Sequence, residues 1–181
     1  MPEYHWINDD IFTVTDFFTP AECREWIDFA EAIGFAAAPI TTGSGPVMRP
    51  DIRNNQRVMV DDMPRAHELF RRAKDYLPQV QGDWKLAGIN ERLRFYRYDE
   101  GQQFDWHFDG YFQRESGERS RLTFMVYLNG DFEGGQTSFD DCVIEPEAGM
   151  ALFFIHEIRH KGEPVRQGRK YVLRTDVMFR R

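Results

Sequence analysis

The run RLTFMVYLN, residues 121–129, lies at the centre of the segment that decides the fold. It is rich in β-branched and aromatic residues and ends at an asparagine, which is typical of a strand followed by a turn. Similar runs flank it, separated by Gly, Asp, Asn or Glu-Pro turns: RLRFYRY (92–98), QTSFD (136–140), GMALFFI (149–155) and KYVLRTDVMF (170–179). Short strands with short connections predict an antiparallel sandwich or barrel.

The first half of the chain predicts helices. TPAECREWIDFAEAIG (19–34) begins with Thr19 as an N-cap, carries Glu22 at the capping-box position and ends at Gly34. A second helix is predicted between residues 62 and 78, where Leu and Ala recur at helical spacing. The fold class is therefore α+β and mainly β, in a single domain over residues 1–181, with helical support over about 1–90 and a β-core over about 91–181.

Length, net charge and cysteine content limit the size of the fold, the partners and the cell compartment that we expect for this protein. The chain has 181 residues, of which 41% are hydrophobic, and this suits one globular domain with a sizeable core. Its net charge of −7 argues against a nucleic-acid partner, since phosphate binding needs clustered Lys and Arg. Two cysteines make a disulfide framework improbable and favour a reducing cytoplasm. The N-terminus lacks the pattern of a secretory signal, and no apolar run is long enough to span a membrane. We expect a soluble cytoplasmic protein; its oligomeric state is left open.

FDWHFDG, residues 104–110, contains the strongest chemical pattern. Side chains two apart in an extended segment project to one face, so His107 and Asp109 can bind one ion. The candidates for a third ligand are His156 and His160, which follow the apolar run at 149–155. Two histidines and one carboxylate form the facial triad of non-heme Fe(II) oxygenases. The alternative is that His107 and Asp109 hydrogen-bond to each other and to the backbone.

The last predicted strand places Lys170 and Arg174 on the same face, four residues apart. If this face points inward, its positive charge requires an anion or a carboxylate partner. A dicarboxylate co-substrate that binds the metal at one end would present such an anion at its other end. Alternatively, the face is solvated, or Arg174 pairs with Asp176 or with a neighbouring strand.

Five blocks in order give the sequence a resemblance to a known family. They are YDEGQQFDWHFDG, RSRLTFMVYLN, FEGGQTSF, PEAGMALFF and a histidine ten residues before the pair Lys-Tyr, and they span about residues 92–179. This pattern resembles the Fe(II)- and 2-oxoglutarate-dependent dioxygenases, in their prolyl 4-hydroxylase-like branch. The resemblance implies a double-stranded β-helix (jelly roll) core with N-terminal supporting helices. It also implies Fe(II), 2-oxoglutarate and O2 as cofactor and co-substrates, with ascorbate (vitamin C) as a reductant.

The resemblance also assigns roles to individual residues. It makes His107, Asp109 and His160 the catalytic iron ligands and Lys170 the partner of the distal carboxylate of 2-oxoglutarate. Tyr98 and Tyr127 match tyrosines that line the co-substrate pocket, and their alternative role is ordinary packing. Arg174 is a competitor of Lys170 for the distal carboxylate. His156 matches no ligand position and is assigned to a supporting or surface role.

The expected activity is a hydroxylation that releases succinate and CO2, and the presence of Asp109 favours it over halogenation. The loop RPDIRNNQRVMVDD (49–62) carries Arg53, Asn55 and Arg57, which we predict to orient the substrate, although a solvated loop is equally consistent with the pattern. The substrate remains an amino acid, a peptidyl proline or another small molecule, and the role of residues 39–60 stays open. Two alternatives are a cupin-like metalloenzyme that does not use 2-oxoglutarate and a non-catalytic metal-binding jelly-roll module.

Overall fold

The computed structural model describes residues 1–181 and contains two α-helices and eighteen β-strands. The helices are α1 (Pro20–Ile33) and α2 (Met63–Ala73). The strands of the first half are β1 (Glu3–Asn8), β2 (Ile11–Thr15), β3 (Ala36–Ala37), β4 (Ile40–Thr42), β5 (Gly45–Val47), β6 (Gln56–Asp61), β7 (Val80–Gln81) and β8 (Trp84–Ile89). Those of the second half are β9 (Arg92–Tyr98), β10 (Phe104–His107), β11 (Arg119–Tyr127), β12 (Phe132–Gly134), β13 (Thr137–Phe139), β14 (Val143–Ile144), β15 (Ala151–Ile155), β16 (His160–Gly162), β17 (Val165–Gly168) and β18 (Lys170–Arg180).

The strands form one large and one small antiparallel sheet, with two short hairpin-like pairs beside them. The large sheet has the order β1-β2-β15-β11-β18-β9-β6-β3, and β8 extends it by pairing with the far end of β18. The small sheet has the order β10-β16-β13-β14. The pairs are β12 with β17 and β4 with β5. All these pairings are antiparallel, so the mainly β class predicted from the sequence is confirmed.

Two hydrophobic clusters cover the two faces of the large sheet. One contains residues of both helices together with Leu173, Val177 and Phe179 of β18. The other contains Val172 of β18 together with residues of the small sheet such as Phe139. Because side chains alternate along a strand, Lys170 and Arg174 point with Val172 into the space between the sheets. The two facing sheets fit the jelly-roll core that was predicted.

Helix α1 is built as the sequence indicates. The Thr19 side chain accepts from the backbone of Glu22 at 3.2 Å, and Glu22 accepts from the backbone of Thr19 at 2.7 Å, which completes the capping box. Helix α2 ends at Ala73 rather than near residue 78. The residue before a proline is disfavoured in the helical region, and the chain already turns before Pro78.

The description of residues 1–90 as helical support is incomplete. Strands β1, β2, β6 and β8 all belong to the large sheet, residues 40–47 form the hairpin β4–β5, and β3 pairs with β6 at the edge of the large sheet. Several of these strands are short or half-exposed and lack a clear alternation, so tertiary pairing rather than local pattern defines them. Neither helix is long and apolar enough to cross a membrane.

Candidate active site

His107 and His160 lie opposite each other on paired strands. His107 ends β10 and His160 begins β16, and the two residues are register partners. Each ring donates from Nδ1 to the backbone carbonyl two residues earlier, at 2.7 Å to Asp105 and 3.2 Å to Ile158. Since Nδ1 carries the proton, the lone pair of each Nε2 is free to bind a metal.

Asp109 lies two residues after His107, and its carboxylate faces the imidazoles of both His107 and His160. Its Oδ1 lies 3.8 Å from Nε2 of His107 and its Oδ2 lies 3.6 Å from Nε2 of His160. These separations are too long for hydrogen bonds, so the simple His107–Asp109 hydrogen bond considered above is not formed. The ligand atoms of the three residues lie within 4.8 Å of one another and could hold one metal ion. All three residues line the inner pocket described below.

The protonation states suit metal binding. Burial, together with the neighbouring His160, lowers the pKa of His107 to about 3, and burial also lowers the pKa of His160. Burial alone would raise the pKa of the Asp109 carboxyl, but Arg174 and the two histidines hold it well below its usual range. Near neutral pH the site therefore offers two neutral imidazoles and one carboxylate, the forms that bind cations.

Asp109 is held by a chain of hydrogen bonds that the sequence did not reveal. The Thr123 hydroxyl donates to Oδ2 of Asp109 at 2.6 Å, and its oxygen lies 3.0 Å from Nδ1 of His156. Nε2 of His156 lies 2.9 Å from the Ser120 hydroxyl. Because the Thr123 proton is directed to Asp109, Nδ1–H of His156 donates to Thr123 and Ser120 donates to Nε2. His156 is thus buried and supports Asp109 indirectly, one of the two roles predicted for it.

Arg174 is also directed at Asp109. Its Nη2 lies 3.2 Å from Oδ2 of Asp109 and 3.1 Å from Oδ1 of Asp176. Asp176 in turn accepts from Asn90 at 3.0 Å and pairs with Arg94 at 3.3 Å. Asp176 and Arg94 were not among the predicted site residues, although Asp176 was considered as a partner for Arg174. The face that carries Arg174 is therefore buried and charge-paired rather than solvated.

Lys170 differs from Arg174 because no carboxylate accompanies it. It is only 2% exposed, and its Nζ donates to the backbone carbonyl of Gly135 at 2.6 Å. The ammonium also lies 5.0 Å and 5.4 Å from the ring centroids of Tyr98 and Tyr127. Burial lowers the pKa of Lys170 to about 7. A buried ammonium with a single carbonyl acceptor is a group that an incoming anion would stabilise.

Lys170 and the triad line one narrow inner pocket. Its other lining residues are Tyr96, Tyr98, Phe104, Met125, Thr137, Gly162, Val172 and Arg174. Tyr98 therefore lies where the sequence predicted, on the pocket wall. Tyr127 does not line the pocket, and its hydroxyl lies 2.6 Å from that of Thr137. Thr137, which sequence reasoning missed, takes the wall position that had been expected for Tyr127.

A larger outer pocket of about 630 Å³ opens above the triad. Arg53 and Arg57 line it, as does Trp106. Asn55 does not reach it: the side chain is fully buried and accepts from Nε of Arg53 at 2.8 Å. The structure therefore places Asn55 behind Arg53, which corrects its predicted place in the substrate site. The alternative of a solvated loop is also wrong for Arg53, which is only 4% exposed.

Comparisons with known proteins support the interpretation of this geometry. Residues 93–175 match the sequence model of the 2OG-Fe(II) oxygenase superfamily. The chain is 25% identical to the probable prolyl 4-hydroxylase 4 of Arabidopsis thaliana over 140 residues, and this match covers 74% of the chain and 44% of that relative. It is also 25% identical over 190 residues to the putative prolyl 4-hydroxylase of Acanthamoeba polyphaga mimivirus, with coverage of 93% and 73%. The chain thus spans less than half the length of the plant relative.

Solved structures share the fold. The viral collagen prolyl hydroxylase of Paramecium Bursaria Chlorella virus-1 aligns with a TM-score of 0.67 and 21% identity, covering 94% of this chain and 97% of that one. A Pseudomonas putida prolyl-4-hydroxylase also aligns with a TM-score of 0.67, at 18% identity, covering 95% and 94%. The sequence match covers the strands that carry the triad, Lys170 and Arg174. Residues 93–175 thus carry the sequence pattern of the 2OG-Fe(II) oxygenase superfamily, and the chain is similar to prolyl 4-hydroxylases in sequence and in fold.

Proposed function

We propose that the protein is an Fe(II)- and 2-oxoglutarate-dependent dioxygenase that hydroxylates an unactivated C–H bond and releases succinate and CO2. One observation carries the proposal: a triad able to hold a metal shares a pocket with a buried ammonium that has no carboxylate partner. A metal ion held by the triad and the Lys170 ammonium would provide two cationic groups in one pocket, which suits a dicarboxylate. The family match and the prolyl 4-hydroxylase relatives support the same activity.

The residues present fit Fe(II) and 2-oxoglutarate. His107, Asp109 and His160 would hold the metal, a ligand set typical of non-heme Fe(II) oxygenases. Lys170 would bind the distal carboxylate, because Arg174 is already paired with two carboxylates. When bound, Fe(II) with 2-oxoglutarate and O2 supplies the oxidative decarboxylation and the oxidation of the substrate C–H bond.

The other residues position these groups and restrict water. Arg174 holds the Asp109 carboxylate through an ion pair, and Thr123 holds it through a hydrogen bond to the charged oxygen. The Phe104 ring stacks on His107, with the ring centroids 3.5 Å apart and the planes 10° from parallel, and it covers one side of that ligand. Tyr98 and Thr137 line the pocket that the triad and Lys170 share.

Formation of succinate from 2-oxoglutarate with Fe(II) and O2, and without added substrate, tests this function. We expect slow uncoupled succinate formation that stops when a chelator removes the metal and resumes when Fe(II) is added. Metal binding without succinate would favour the cupin-like metalloenzyme. Metal binding that changes only stability, with no turnover of any kind, would favour the non-catalytic jelly-roll module.

Lys170→Ala tests the position of the co-substrate. A charge-assisted hydrogen bond is worth about 1.5–3 kcal/mol, so we expect the concentration of 2-oxoglutarate needed for half-maximal succinate formation to rise about ten- to a hundredfold. Lys85→Ala, on an exposed position of β8, is the control. Arg174→Ala should instead weaken metal binding, because the Asp109 carboxylate loses the ion pair that holds it in position. If only Arg174→Ala changes the 2-oxoglutarate requirement, the roles of the two residues must be exchanged.

The substrate class and location complete the proposal. The relatives named prolyl 4-hydroxylases support a peptidyl proline as substrate, and the 630 Å³ outer pocket also accommodates a small molecule. Cys23 is a buried free thiol and Cys142 is a half-buried one, which supports a reducing cytoplasmic location. Ascorbate would serve as the reductant. Incubation with proline-containing peptides, followed by mass spectrometry for a gain of one oxygen atom, tests the substrate class.

A further inference from the structure

The outer pocket carries more positive charge than the residues around it neutralise. Four arginines line it, Arg53, Arg57, Arg94 and Arg174, and the only carboxylate on its wall is that of Asp109. Asp176, behind the wall, pairs with Arg94 and Arg174. Four guanidinium groups thus face two carboxylates, and one of these, Asp109, belongs to the proposed metal site.

Arg53 is the most deeply buried of the four. Its Nε donates to Asn55 at 2.8 Å, and its guanidinium lies over the rings of Tyr96 and Phe104, at 4.6 Å and 4.3 Å from their centroids. Its Nη2 is buried and has no hydrogen-bond partner. An unpaired donor on a buried guanidinium costs free energy unless a ligand satisfies it. The side chain is held rigidly by Asn55 and two aromatic rings while one of its donors remains unused.

Arg57 lies beside it without a carboxylate partner. It is half-buried on β6, where its register partner is Tyr96 of β9. Its side chain makes neither an ion pair nor a hydrogen bond with another residue of the chain. Burial and the positive charges of Arg53, Arg94 and Arg174 lower the pKa of Arg57. Arg94 and Arg174 are themselves register partners across β9 and β18, and like charges in that arrangement repel each other.

The same pocket has no carboxylate that is free to pair with an ammonium. Apart from Asp109, its lining contains no carboxylate, and its remaining walls are largely apolar and aromatic: Ile40, Ile52, Trp106, Phe108, Tyr111 and Phe112. A free amino acid would therefore bring a positive amino group next to four arginines without a counter-charge. A ligand with a carboxylate and an apolar body would satisfy both parts of the pocket.

We propose that the substrate carries a carboxylate and no nearby free ammonium, and that Arg57 and Arg53 bind this carboxylate beside the metal site. The inference rests on the proposed function and narrows its substrate class. Among the open possibilities it disfavours free amino acids and neutral proline peptides. It favours an apolar carboxylic acid or a peptide with an acidic side chain beside the reacting residue.

Calorimetric titration under nitrogen, with the protein loaded with Fe(II) and saturating 2-oxoglutarate, tests the proposal. The first probe pair is 3-phenylpropanoate and 3-phenylpropanamide, which differ in charge but hardly in shape. The second pair is an acetylated and amidated peptide with glutamate next to proline and its glutamine counterpart. We expect the charged member of at least one pair to bind about tenfold or more tightly, and the pair that responds identifies the source of the carboxylate.

Arg57→Gln is the decisive variant, since this side chain is half-buried and its loss should leave the fold intact, which a thermal unfolding curve verifies. It should remove most of the preference for the charged probe. Arg57→Lys should recover part of that preference, because it restores the charge without the planar fork. The control is Arg49→Gln, in the loop that precedes β6, where the side chain is exposed and paired with Asp51 at 2.6 Å. This control should leave both affinities unchanged.

The outcomes separate this inference from the proposed function. If succinate forms without substrate but charged and neutral probes bind equally, or if Arg57→Gln does not alter the preference, the inference is wrong and the function stands. If no succinate forms, the same titration on the metal-free protein still reports the preference of the cationic pocket. Equal loss of affinity in Arg49→Gln and Arg57→Gln would indicate a general charge effect and would also overturn the inference.

Discussion

The Thr123 hydroxyl donates a hydrogen bond of 2.6 Å to Oδ2 of Asp109, the same carboxylate oxygen that Nη2 of Arg174 approaches to 3.2 Å. Thr123 itself accepts from buried His156 at 3.0 Å. Asp109 is therefore oriented by two neutral side chains, Thr123 on β11 and His156 between β15 and β16, as well as by Arg174. Such supporting contacts adjust the position and basicity of a ligand.

Thr123→Val should weaken metal binding while it preserves the shape of the side chain. Loss of a hydrogen bond to a ligand typically costs 10- to 100-fold in metal affinity, and we expect a decrease of about that size. The donor of His156 also loses its acceptor, so the free energy of unfolding should fall by about 1–3 kcal/mol. Anaerobic Fe(II) titration and chemical denaturation measure the two effects.

Thr13→Val is the matched control, because Thr13 is buried on β2 of the same sheet and contacts no ligand of the triad. It should leave metal affinity unchanged. Equal Fe(II) affinity in Thr123→Val and the unaltered protein would show that the hydrogen bond to Asp109 does not position a metal ligand.

Each residue of the triad should be required for the stabilisation that the metal provides. At a free Fe(II) concentration of about 100 times the dissociation constant, binding adds about 2.7 kcal/mol to the free energy of unfolding. His107→Ala, Asp109→Ala and His160→Ala should lose this gain and the uncoupled succinate formation, and a thermal shift assay with and without Fe(II) measures it. His156→Ala should retain a reduced gain, because His156 acts only through Thr123.

His67→Ala, at an exposed position on α2, should behave like the unaltered protein in this assay. If His160→Ala kept the full Fe(II)-dependent shift and His156→Ala lost it, the ligand assignment of the two histidines would have to be reversed.

The affinity for 2-oxoglutarate should fall as the pH rises above about 7. Burial lowers the pKa of Lys170 to about 7 in the folded protein without ligand, so the ammonium that would bind a carboxylate is progressively lost above that pH. Binding at pH 8 must therefore take up a proton. Calorimetric titration in two buffers of different ionisation enthalpy measures both the affinity and this proton uptake.

The stability of the ligand-free protein should change in the opposite direction. Above about pH 7 the folded state binds fewer protons at Lys170 than the unfolded chain, in which lysine titrates near 10.5, so this residue makes the free energy of unfolding rise with pH through that window. Lys170→Arg keeps its charge, so its weaker binding of 2-oxoglutarate should be independent of pH in this range. Proton uptake that is the same in Lys170→Arg and the unaltered protein would assign the titration to another group.

Gly135→Ala should damage the co-substrate end of the pocket. Gly135 has a φ of +68°, and an added Cβ would lie 3.1 Å from Cδ of Lys170 and 3.1 Å from the Phe132 ring. Strained backbone of this kind costs about 1–3 kcal/mol, and the displaced Lys170 should bind 2-oxoglutarate several-fold more weakly. Denaturant unfolding and succinate formation as a function of 2-oxoglutarate concentration measure the two effects.

Gly43→Ala is the control for this substitution, because nothing lies within 4 Å of its added Cβ and its φ is not positive. A loss of stability in Gly135→Ala no greater than in Gly43→Ala would contradict the constraint we describe.

The sequence alone determined the class of the fold and the residues closest to the chemistry. Alternating runs over residues 92–179 predicted antiparallel strands, since the period of a strand is a local property. The capping box at Thr19 predicted the start of α1 for the same reason. Local spacing predicted that His107 and Asp109 could bind one ion, whereas the resemblance to a known family selected His160 over His156 as the third candidate ligand. Whether these three residues bind iron is for the metal titrations to show.

Only the tertiary structure decided the charge partners. Arg174 and Lys170 are equivalent in the sequence pattern, yet one meets two carboxylates and the other meets a backbone carbonyl. The role of Thr123 became visible only when β11 and β18 paired, which places Thr123 opposite Asp176 and beside Asp109. Likewise, Asn55 is hidden behind Arg53, although both belong to the same polar stretch. Electrostatic pairing and burial depend on strands distant in sequence, so local periodicity carries no information about which buried charge is left without a partner.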